Sequence, residues 1–424
     1  MSSYRQPGTV VSDLTFQVPL DHCVPDGEQL ELFAREIVAA ENAAAKLPWL
    51  LFLQGGPGMA GPRLIGRDSW LDRALCDYRV LLLDQRGTGR SSPVSWRTLA
   101  SCGSAAAQAE YLAHFRADSI VRDAEQIRHE LIGDRPWSVL GQSFGGFCTV
   151  SYLSLAPAGI REALIAGGLA STAEEVYRLT YPAVAARNDA HYERYPQDVA
   201  QVRRIARHLA SADIRLPAGA ALTVEAFQSL GVMLGSSTGS HELHYLLEDP
   251  FTGRELSDDF LQRLQAHLAF ASAPLYAILH EACYSQGEAT RWAAQRVRDE
   301  FGEFSAAASL ETDSPVLFTG EMIYPWMFET DPVLRPVAEA AELIAHREPW
   351  PQLYDAAVLG ANEVPAAAAI YFDDMYVPRE FSVQTAHAIR GLRPWVTNEY
   401  EHDGLRVSAG AVLDRLIGMA RGTA

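Results

Sequence analysis

The stretch Gly141-Gln142-Ser143-Phe144-Gly145 stands between a short apolar segment with strand character and an apolar segment with helix character. A Gly-x-Ser-x-Gly in that position is typical of a nucleophile elbow, a sharp strand-to-helix turn that exposes a serine hydroxyl. The serine of such a turn has a strained backbone, and glycine is required where a Cβ would collide with neighbouring backbone. Ordinary Gly/Ser loops share the bare pattern, but the flanking segments favour the elbow and predict Ser143 as a nucleophile.

Apolar strand-like segments alternate with helix-like segments on both sides of this motif. Strands that are apolar throughout are typical of a parallel sheet covered by helices on both faces. The sequence therefore predicts an α/β fold with a mostly parallel sheet that begins with an antiparallel pair. The predicted strands cover residues 10–18, 29–38, 50–53, 80–84, 137–140, 163–166, 366–372 and 395–400.

A long stretch between the sixth and seventh predicted strands is mostly helical in pattern and contains proline breakers such as Pro182. It predicts a large, mainly helical cap inserted into the sheet-containing core. The predicted division is a first core part at 1–170, a cap at 171–363 and a second core part at 364–424, which closes with a helix over 405–419.

Composition excludes several classes of function. The chain has 424 residues with 35 basic and 53 acidic side chains, a net charge of −18, which disfavours nucleic acid or an anionic membrane as partner and favours cationic substrates. Five scattered cysteines without a CxxC pair predict reduced, buried thiols in a cytoplasmic protein. No apolar run approaches the ~18 residues of a membrane span or the core of a signal peptide. The oligomeric state stays open.

A serine nucleophile needs a base and a carboxylate that orients the base. Asp374 follows the predicted strand at 366–372, and His402 follows the last predicted strand and precedes the final helix. His402 is the one histidine of twelve in such a position. Asp373 competes with Asp374 for the acid role, and Asp403 is a weaker rival. For the oxyanion, the predicted donors are the backbone N–H groups of Gly56, in the loop after an early strand, and of Phe144.

Two other motifs suggest different chemistry. Residues 56–61 match GxGxxG after a strand and Asp84 ends the next strand, as in an NAD-dependent enzyme. Against this, Pro57 removes an N–H from the loop and Pro62 interrupts the helix that should begin there. Residues 241–244, His-Glu-Leu-His, lack one spacer residue of the zinc motif HExxH. The sequence therefore predicts neither a cofactor nor a metal.

Five motifs of the chain belong together: Gly55-Gly56-Pro57-Gly58, the run from Asp84 to Ser91, the elbow, Asp373-Asp374-Met375 and His402-Asp403-Gly404. In combination they resemble the proline iminopeptidases (prolyl aminopeptidases) of the α/β-hydrolase superfamily, in the longer-chain branch of that family. Family members often have His-Gly-Gly-Pro-Gly in the first loop, whereas this chain has Gln54 before its glycines.

The resemblance implies an α/β-hydrolase fold and release of N-terminal proline from peptides by acyl transfer, with peptides carrying a free N-terminal proline as partners. It also implies that cap carboxylates bind the substrate's amino terminus, with Glu321 as first choice, Glu281 as second and Glu288 behind them. An apolar, ring-sized pocket is implied too, with Tyr324 or Trp326 as candidates. The alternatives are an esterase for small or acyl esters on the same core, and a catalytically silent hydrolase fold used for binding.

Overall fold

In the computed structural model, described for residues 2–67, 69–171 and 176–424, the chain folds around one large sheet. The strands in chain order are β1 Ser2–Gln6, β2 Thr9–Pro19, β3 Gln29–Ala39, β4 Trp49–Leu53, β5 Arg79–Leu83, β6 Trp137–Gln142, β7 Ile160–Ala166, β8 Phe251–Thr252, β9 Glu255–Leu256, β10 Ala366–Tyr371 and β11 Leu392–Thr397.

Nine strands of the described residues form this sheet in the order β1-β2-β3-β5-β4-β6-β7-β10-β11. Six neighbouring strands of this order pair in parallel, namely β5, β4, β6, β7, β10 and β11. Strands β1, β2 and β3 add an antiparallel edge. The predicted mostly parallel sheet is confirmed. The chain proceeds from β4 to β5 on one side and then to β6 on the other, so the loops after β4 and β6 meet where a parallel sheet places its ligand site.

The helices lie in the connections between these strands and in the part of the chain after β11. They are α1 Ser69–Asp77, α2 Trp96–Ala100, α3 Ala105–Leu112, α4 Ala117–Ile132, α5 Phe144–Leu155, α6 Tyr177–Arg194, α7 Pro196–Ser211, α8 Val224–Gln228, α9 Gly239–Leu247, α10 Asp258–Leu268, α11 Pro274–Leu279, α12 Ala293–Arg298, α13 Ala306–Glu311, α14 Met327–Thr330, α15 Ala338–Ala345, α16 Ala356–Gly360, α17 Arg379–Ala388, α18 Gly404–Val407 and α19 Ala411–Arg421. Short 3-10 helices, among them Ser229–Gly235 and Glu281–Cys283, add further turns.

Alternation along the central strands divides the core between two faces of the sheet. In β4, Leu51 and Leu53 belong to the cluster with α4 and α5, whereas Leu50 and Phe52 belong to the cluster with α1 and α19. Successive side chains of a strand point to opposite faces, so an all-apolar strand requires cover on both. Helices on both faces therefore hold the strand ends, and the loops that follow them, in fixed positions.

Between β7 and β10 the described residues are mainly helical, with the small β8–β9 hairpin as an exception. The cap boundaries at 170/171 and 363/364 stay a prediction, and residues 172–175 of the predicted cap lie outside the described residues. In the described parts of the chain, no helix combines the length and apolarity that crossing a membrane requires.

Several sequence-based boundaries were wrong. Pro182 lies inside α6 and does not end it, because a single proline removes one backbone hydrogen bond while the buried face of the helix stays packed. Strand β11 begins and ends three residues earlier than predicted, and the single predicted last helix is divided into α18 and α19. Strand β1 was not predicted at all, because its residues are polar and mostly exposed.

Candidate active site

The elbow holds Ser143 between β6 and α5 with φ +55° and ψ −126°. A Cβ on Gly145 would collide with the carbonyl oxygen of Leu53, and a Cβ on Gly141 would collide with the backbone of Gly145. Only glycine fits at these two positions, so the tight turn depends on both of them. The conformation of Ser143 is one that L-residues rarely adopt and that is typical of functional turns.

The loop after β4 lies directly against the elbow. A Cβ built on Gly55 would be 3.0 Å from the Cβ of Ser143, so the neighbouring Gly56 lies beside the predicted nucleophile. Phe144 is the first residue of α5, and the first N–H groups of a helix have no partner within it. The two predicted oxyanion donors thus belong to segments that adjoin the serine, and Phe144 is at the positive end of the α5 dipole.

His402 is buried and bonded to Asp374, with 2.7 Å between Nδ1 and Oδ2. The other oxygen of that carboxylate, Oδ1, accepts the backbone N–H groups of Tyr376 at 2.9 Å and Val377 at 3.0 Å. Three hydrogen bonds to the carboxylate thereby fix one imidazole orientation, in which Nε2 is the ring nitrogen that can accept a proton.

The rival carboxylates have other surroundings. Asp373 is exposed, and Asp403 accepts hydrogen bonds from the backbone N–H and hydroxyl of Ser237 in the cap. Of the three aspartates weighed from sequence, the structure brings Asp374 to the imidazole.

A two-glycine turn after β7 contacts both the nucleophile and the histidine. A Cβ on Gly167 would be 3.2 Å from His402 Nδ1, and one on Gly168 would collide with the backbone carbonyl of Ser143. The main chain of the elbow and the ring of the histidine thus approach the same turn. Residues far apart in sequence, at the ends of β6, β10 and β11, are brought to one place.

The charge state of His402 depends on its neighbours. Burial alone would lower the pKa of His402, but the Asp374 carboxylate and then Glu321 outweigh it, so the pKa is raised above its ordinary value. Two carboxylates favour the imidazolium, which is the form created when the ring takes a proton from serine.

Glu321 is the cap carboxylate that helps to raise the pKa of His402. Its Oε1 accepts the hydroxyl of Tyr276 at 2.6 Å and lies 3.8 Å from His280 Nε2. Burial would raise the pKa of Glu321, but His280, Tyr276 and His402 together hold it below its usual value. Glu321 is therefore a charged group close enough to His402 for each to shift the pKa of the other.

Glu281 has a different environment. Its two carboxylate oxygens accept the backbone N–H groups of Ala293 at 3.0 Å and Ala294 at 2.9 Å, the first residues of α12. Burial raises the pKa of Glu281 although both N–H groups favour its charged form. The structure thus does not bring Glu281 together with Glu321, and it places Glu281 as a cap of the α12 N-terminus.

The two glutamates also line different cavities. Glu321 lines a cavity of about 300 Å³, together with Tyr276, Trp326 and Met59 of the loop after β4. Glu281 and the exposed Glu288 line a second cavity of about 530 Å³. The first cavity thus has the cap carboxylate Glu321 and the loop after β4, which carries Gly56, in one lining.

The candidate aromatic residues separate in the same way. Trp326 lines the cavity of Glu321. Tyr324 is fully buried and its hydroxyl lies 2.9 Å from that of Tyr181 inside the cap. Sequence reasoning missed Tyr276 and His280, which hold Glu321. The one signal in the sequence is that His280 directly precedes Glu281, a carboxylate that is itself a candidate.

The rival motifs do not form the sites they suggested. After the GxGxxG match the next helix, α1, begins only at Ser69, so the loop lacks the helix N-terminus that binds a pyrophosphate. Asp84 instead accepts bonds from the Arg63 side chain and the Gly61 backbone N–H. Within the described ranges, no three His, Cys, Asp or Glu side chains come together as ligands for a metal ion.

The comparisons with known proteins concern the fold and the family of the chain. The model of the alpha/beta hydrolase fold family matches residues 48–405. The proline iminopeptidase of Aeromonas sobria is 50% identical over 410 residues, with 96% of this chain and 95% of that protein covered. The proline iminopeptidase aneH of Aspergillus aculeatus is 38% identical over 435 residues, with 98% and 95% covered. Both the predicted fold and the predicted family are thereby confirmed: the chain belongs to the proline iminopeptidases of the α/β-hydrolase superfamily.

Proposed function

We propose that this chain is a serine exopeptidase that releases N-terminal proline from peptides through an acyl-enzyme. The observation that carries the proposal is that a cap carboxylate acts on a core imidazole. His402 is hydrogen-bonded to Asp374, and the charge of Glu321 also raises its pKa. A hydrolase core alone cleaves many esters and amides, whereas a charged carboxylate beside it selects substrates with a cation at that point.

In the proposed reaction Ser143 Oγ attacks the carbonyl carbon of the N-terminal prolyl residue while His402 Nε2 takes the hydroxyl proton. Asp374 stabilises the imidazolium, and the N–H groups of Gly56 and Phe144 donate to the oxyanion. The imidazolium then protonates the leaving amine as the C–N bond breaks. Water, activated by the same imidazole, hydrolyses the prolyl ester and releases proline.

Exopeptidase specificity follows from where the substrate's charge is bound. The secondary ammonium of an N-terminal proline is a cation one residue from the scissile carbonyl, and Glu321 is a partly buried, charged acceptor for it. A blocked amino terminus or an internal proline has no such cation. The cavity beside Glu321, with Trp326 and Met59 in its walls, provides apolar contacts for the pyrrolidine ring.

For Glu281 we propose a structural role instead, because α12 already occupies both of its oxygens. A cytoplasmic location also belongs to the proposal. It is supported by five free cysteines, since reduced thiols are typical of that compartment. The prediction that the thiols are buried was wrong for Cys23 and Cys76, which are exposed, whereas Cys148 and Cys283 are buried.

The test compares prolyl β-naphthylamide with a p-nitrophenyl ester, for the wild-type protein and for Ser143→Ala. We expect the wild type to cleave the amide and Ser143→Ala to lose turnover by on the order of 10⁶-fold. Proline release by Ser143→Ala would refute the assigned nucleophile. Strong ester turnover by the wild type with none on the amide would favour the esterase.

A further inference from the structure

One short segment of the cap, residues 232–237, lies against both loops that complete the His402–Asp374 pair. The segment comprises the last residues of the 3-10 helix Ser229–Gly235 and the first residues of the turn that leads into α9. Its contacts reach the loop after β10, which carries Asp374, and the loop after β11, which carries His402. It is therefore a direct link between the cap and the catalytic base.

The contact with the first loop is made through Tyr376. The Tyr376 hydroxyl donates to the carbonyl oxygen of Val232, and a Cβ on Gly235 would collide with the Tyr376 ring. The same tyrosine donates its backbone N–H to Asp374 and packs edge-on against His402, with ring centroids 4.8 Å apart. One residue thus touches the acid with its backbone, and the base and the cap with its side chain.

The contact with the second loop is made on both sides of His402. After the histidine, Asp403 accepts the hydroxyl of Ser237 at 2.6 Å and its backbone N–H at 3.2 Å. Before the histidine, Glu401 Oε1 lies 2.9 Å from Arg187 Nη2. The residues immediately flanking the base are therefore both bound by the cap.

Arg187 connects these contacts to one another. It projects from α6, donates from Nε to the carbonyl oxygen of Leu234 at 3.0 Å and reaches Glu401 with Nη2. The exposed fractions of the two charged side chains are 16% and 25%, so solvent screens this ion pair less than a surface pair. Arg187 thus fixes segment 232–237 and the histidine loop relative to each other.

We propose that segment 232–237, together with Arg187, is a positioning element for the catalytic base, so that His402 and Asp374 have their working geometry only while the cap is docked on the core. Arg187 and Ser237 are positioning residues of this element. A misplacement of about 1 Å in a catalytic group lowers the rate by about 100-fold, so contacts that hold the loop affect kcat without touching substrate.

Another cap-to-core ion pair provides a matched control. Arg347 Nη1 lies 2.7 Å from Glu110 Oε2 in α3, and this pair joins the same two parts of the molecule without contacting either catalytic loop. Arg347→Gln removes the same charge and the same type of link. Arg187→Lys keeps the charge at the other site and tests for rescue.

The experiment measures two quantities for Arg187→Gln, Arg187→Lys, Ser237→Ala and Arg347→Gln: kcat and KM on prolyl β-naphthylamide, and the rate of Ser143 labelling by a fluorophosphonate. We expect Arg187→Gln to lower kcat and the labelling rate by about 10- to 100-fold with KM changed less than about 3-fold. Ser237→Ala should give a smaller loss, Arg187→Lys a partial recovery and Arg347→Gln values near wild type. Thermal unfolding of each variant shows that it is folded.

The proposal rests on the proposed role of His402, and the two can fail separately. If the wild type cleaves the amide and is labelled at Ser143 but Arg187→Gln equals Arg347→Gln, the positioning element is refuted. A KM effect without loss of kcat or of labelling would refute it as well. If the wild type is neither active nor labelled, the proposed function fails first.

Discussion

In the hydrolase core Ser143 is placed by backbone geometry, whereas in the cap Glu321 is placed by side-chain contacts. Ser143 is fixed by a positive φ and by glycines at which any Cβ would collide. Glu321 is fixed by a tyrosine hydroxyl and a histidine from another cap segment. Backbone rules act locally and are visible in a short motif, while packing in an irregular helical region depends on contacts distant in sequence.

The two cap glutamates weighed from sequence show the consequence. Glu281 is buried and caps α12, whereas Glu321 is 17% exposed and raises the pKa of His402. Burial is therefore insufficient to identify a substrate-binding carboxylate in the cap. What distinguishes Glu321 is its effect on His402 and its place in the cavity that Met59 of the loop after β4 also lines.

The largest effect is expected in the core. Asp374→Asn should lower kcat by about 10⁴-fold, because the amide cannot hold the correct tautomer of His402 or stabilise its imidazolium. Asp373→Asn is the matched control and should stay within about 2-fold of wild type, since surface substitutions remote from the reacting groups have small effects. Steady-state kinetics on prolyl β-naphthylamide check both variants. Equal losses in the two would contradict the choice of acid.

The pH dependence of activity links the core to the cap. The base must be neutral to accept a proton, and the pKa of His402 is raised above the ordinary 6.5. Activity should therefore begin to fall at a pH above 6.5, and it should fall about tenfold per pH unit below the raised pKa. Removing the Glu321 charge takes away one cause of the raised pKa. In Glu321→Gln the acid limb of the fluorophosphonate labelling rate should therefore move to lower pH. A limb that stays in place would mean that the two groups are not coupled.

The smallest effect is expected at Glu281. Glu281→Gln should lower the free energy of unfolding by about 1–2 kcal/mol, because one backbone N–H of α12 loses its acceptor, while kcat/KM changes by less than about 3-fold. Glu288→Gln, an exposed change on the same cavity, should leave both quantities unchanged. Denaturant unfolding and kinetics measure them. A large loss of kcat/KM with normal stability would return Glu281 to the substrate site.

The difference between core and cap also explains what the sequence could predict. The elbow, Gly56 and Asp374 follow strands whose apolar runs are visible in the chain, so their meeting at one sheet edge could be expected. Strand β11 is an edge strand with exposed residues and Pro394, so its apolar pattern is weak and its bounds were misjudged. Tyr276, His280 and the contacts of Glu281 arise from tertiary packing of the cap, for which no local pattern exists.

The most direct test of the account is whether the cap carboxylate and the core nucleophile act on one substrate. It compares kcat/KM for prolyl β-naphthylamide with that for its N-acetylated form, in wild type and in Glu321→Gln, at a pH where His402 is neutral in both. We predict cleavage of the free form only, and a loss of about 10²- to 10³-fold in Glu321→Gln with labelling of Ser143 unchanged, as expected when one partner of a buried charge pair is removed. Equal cleavage of free and acetylated substrates by the wild type, or an unaltered Glu321→Gln, would contradict the account.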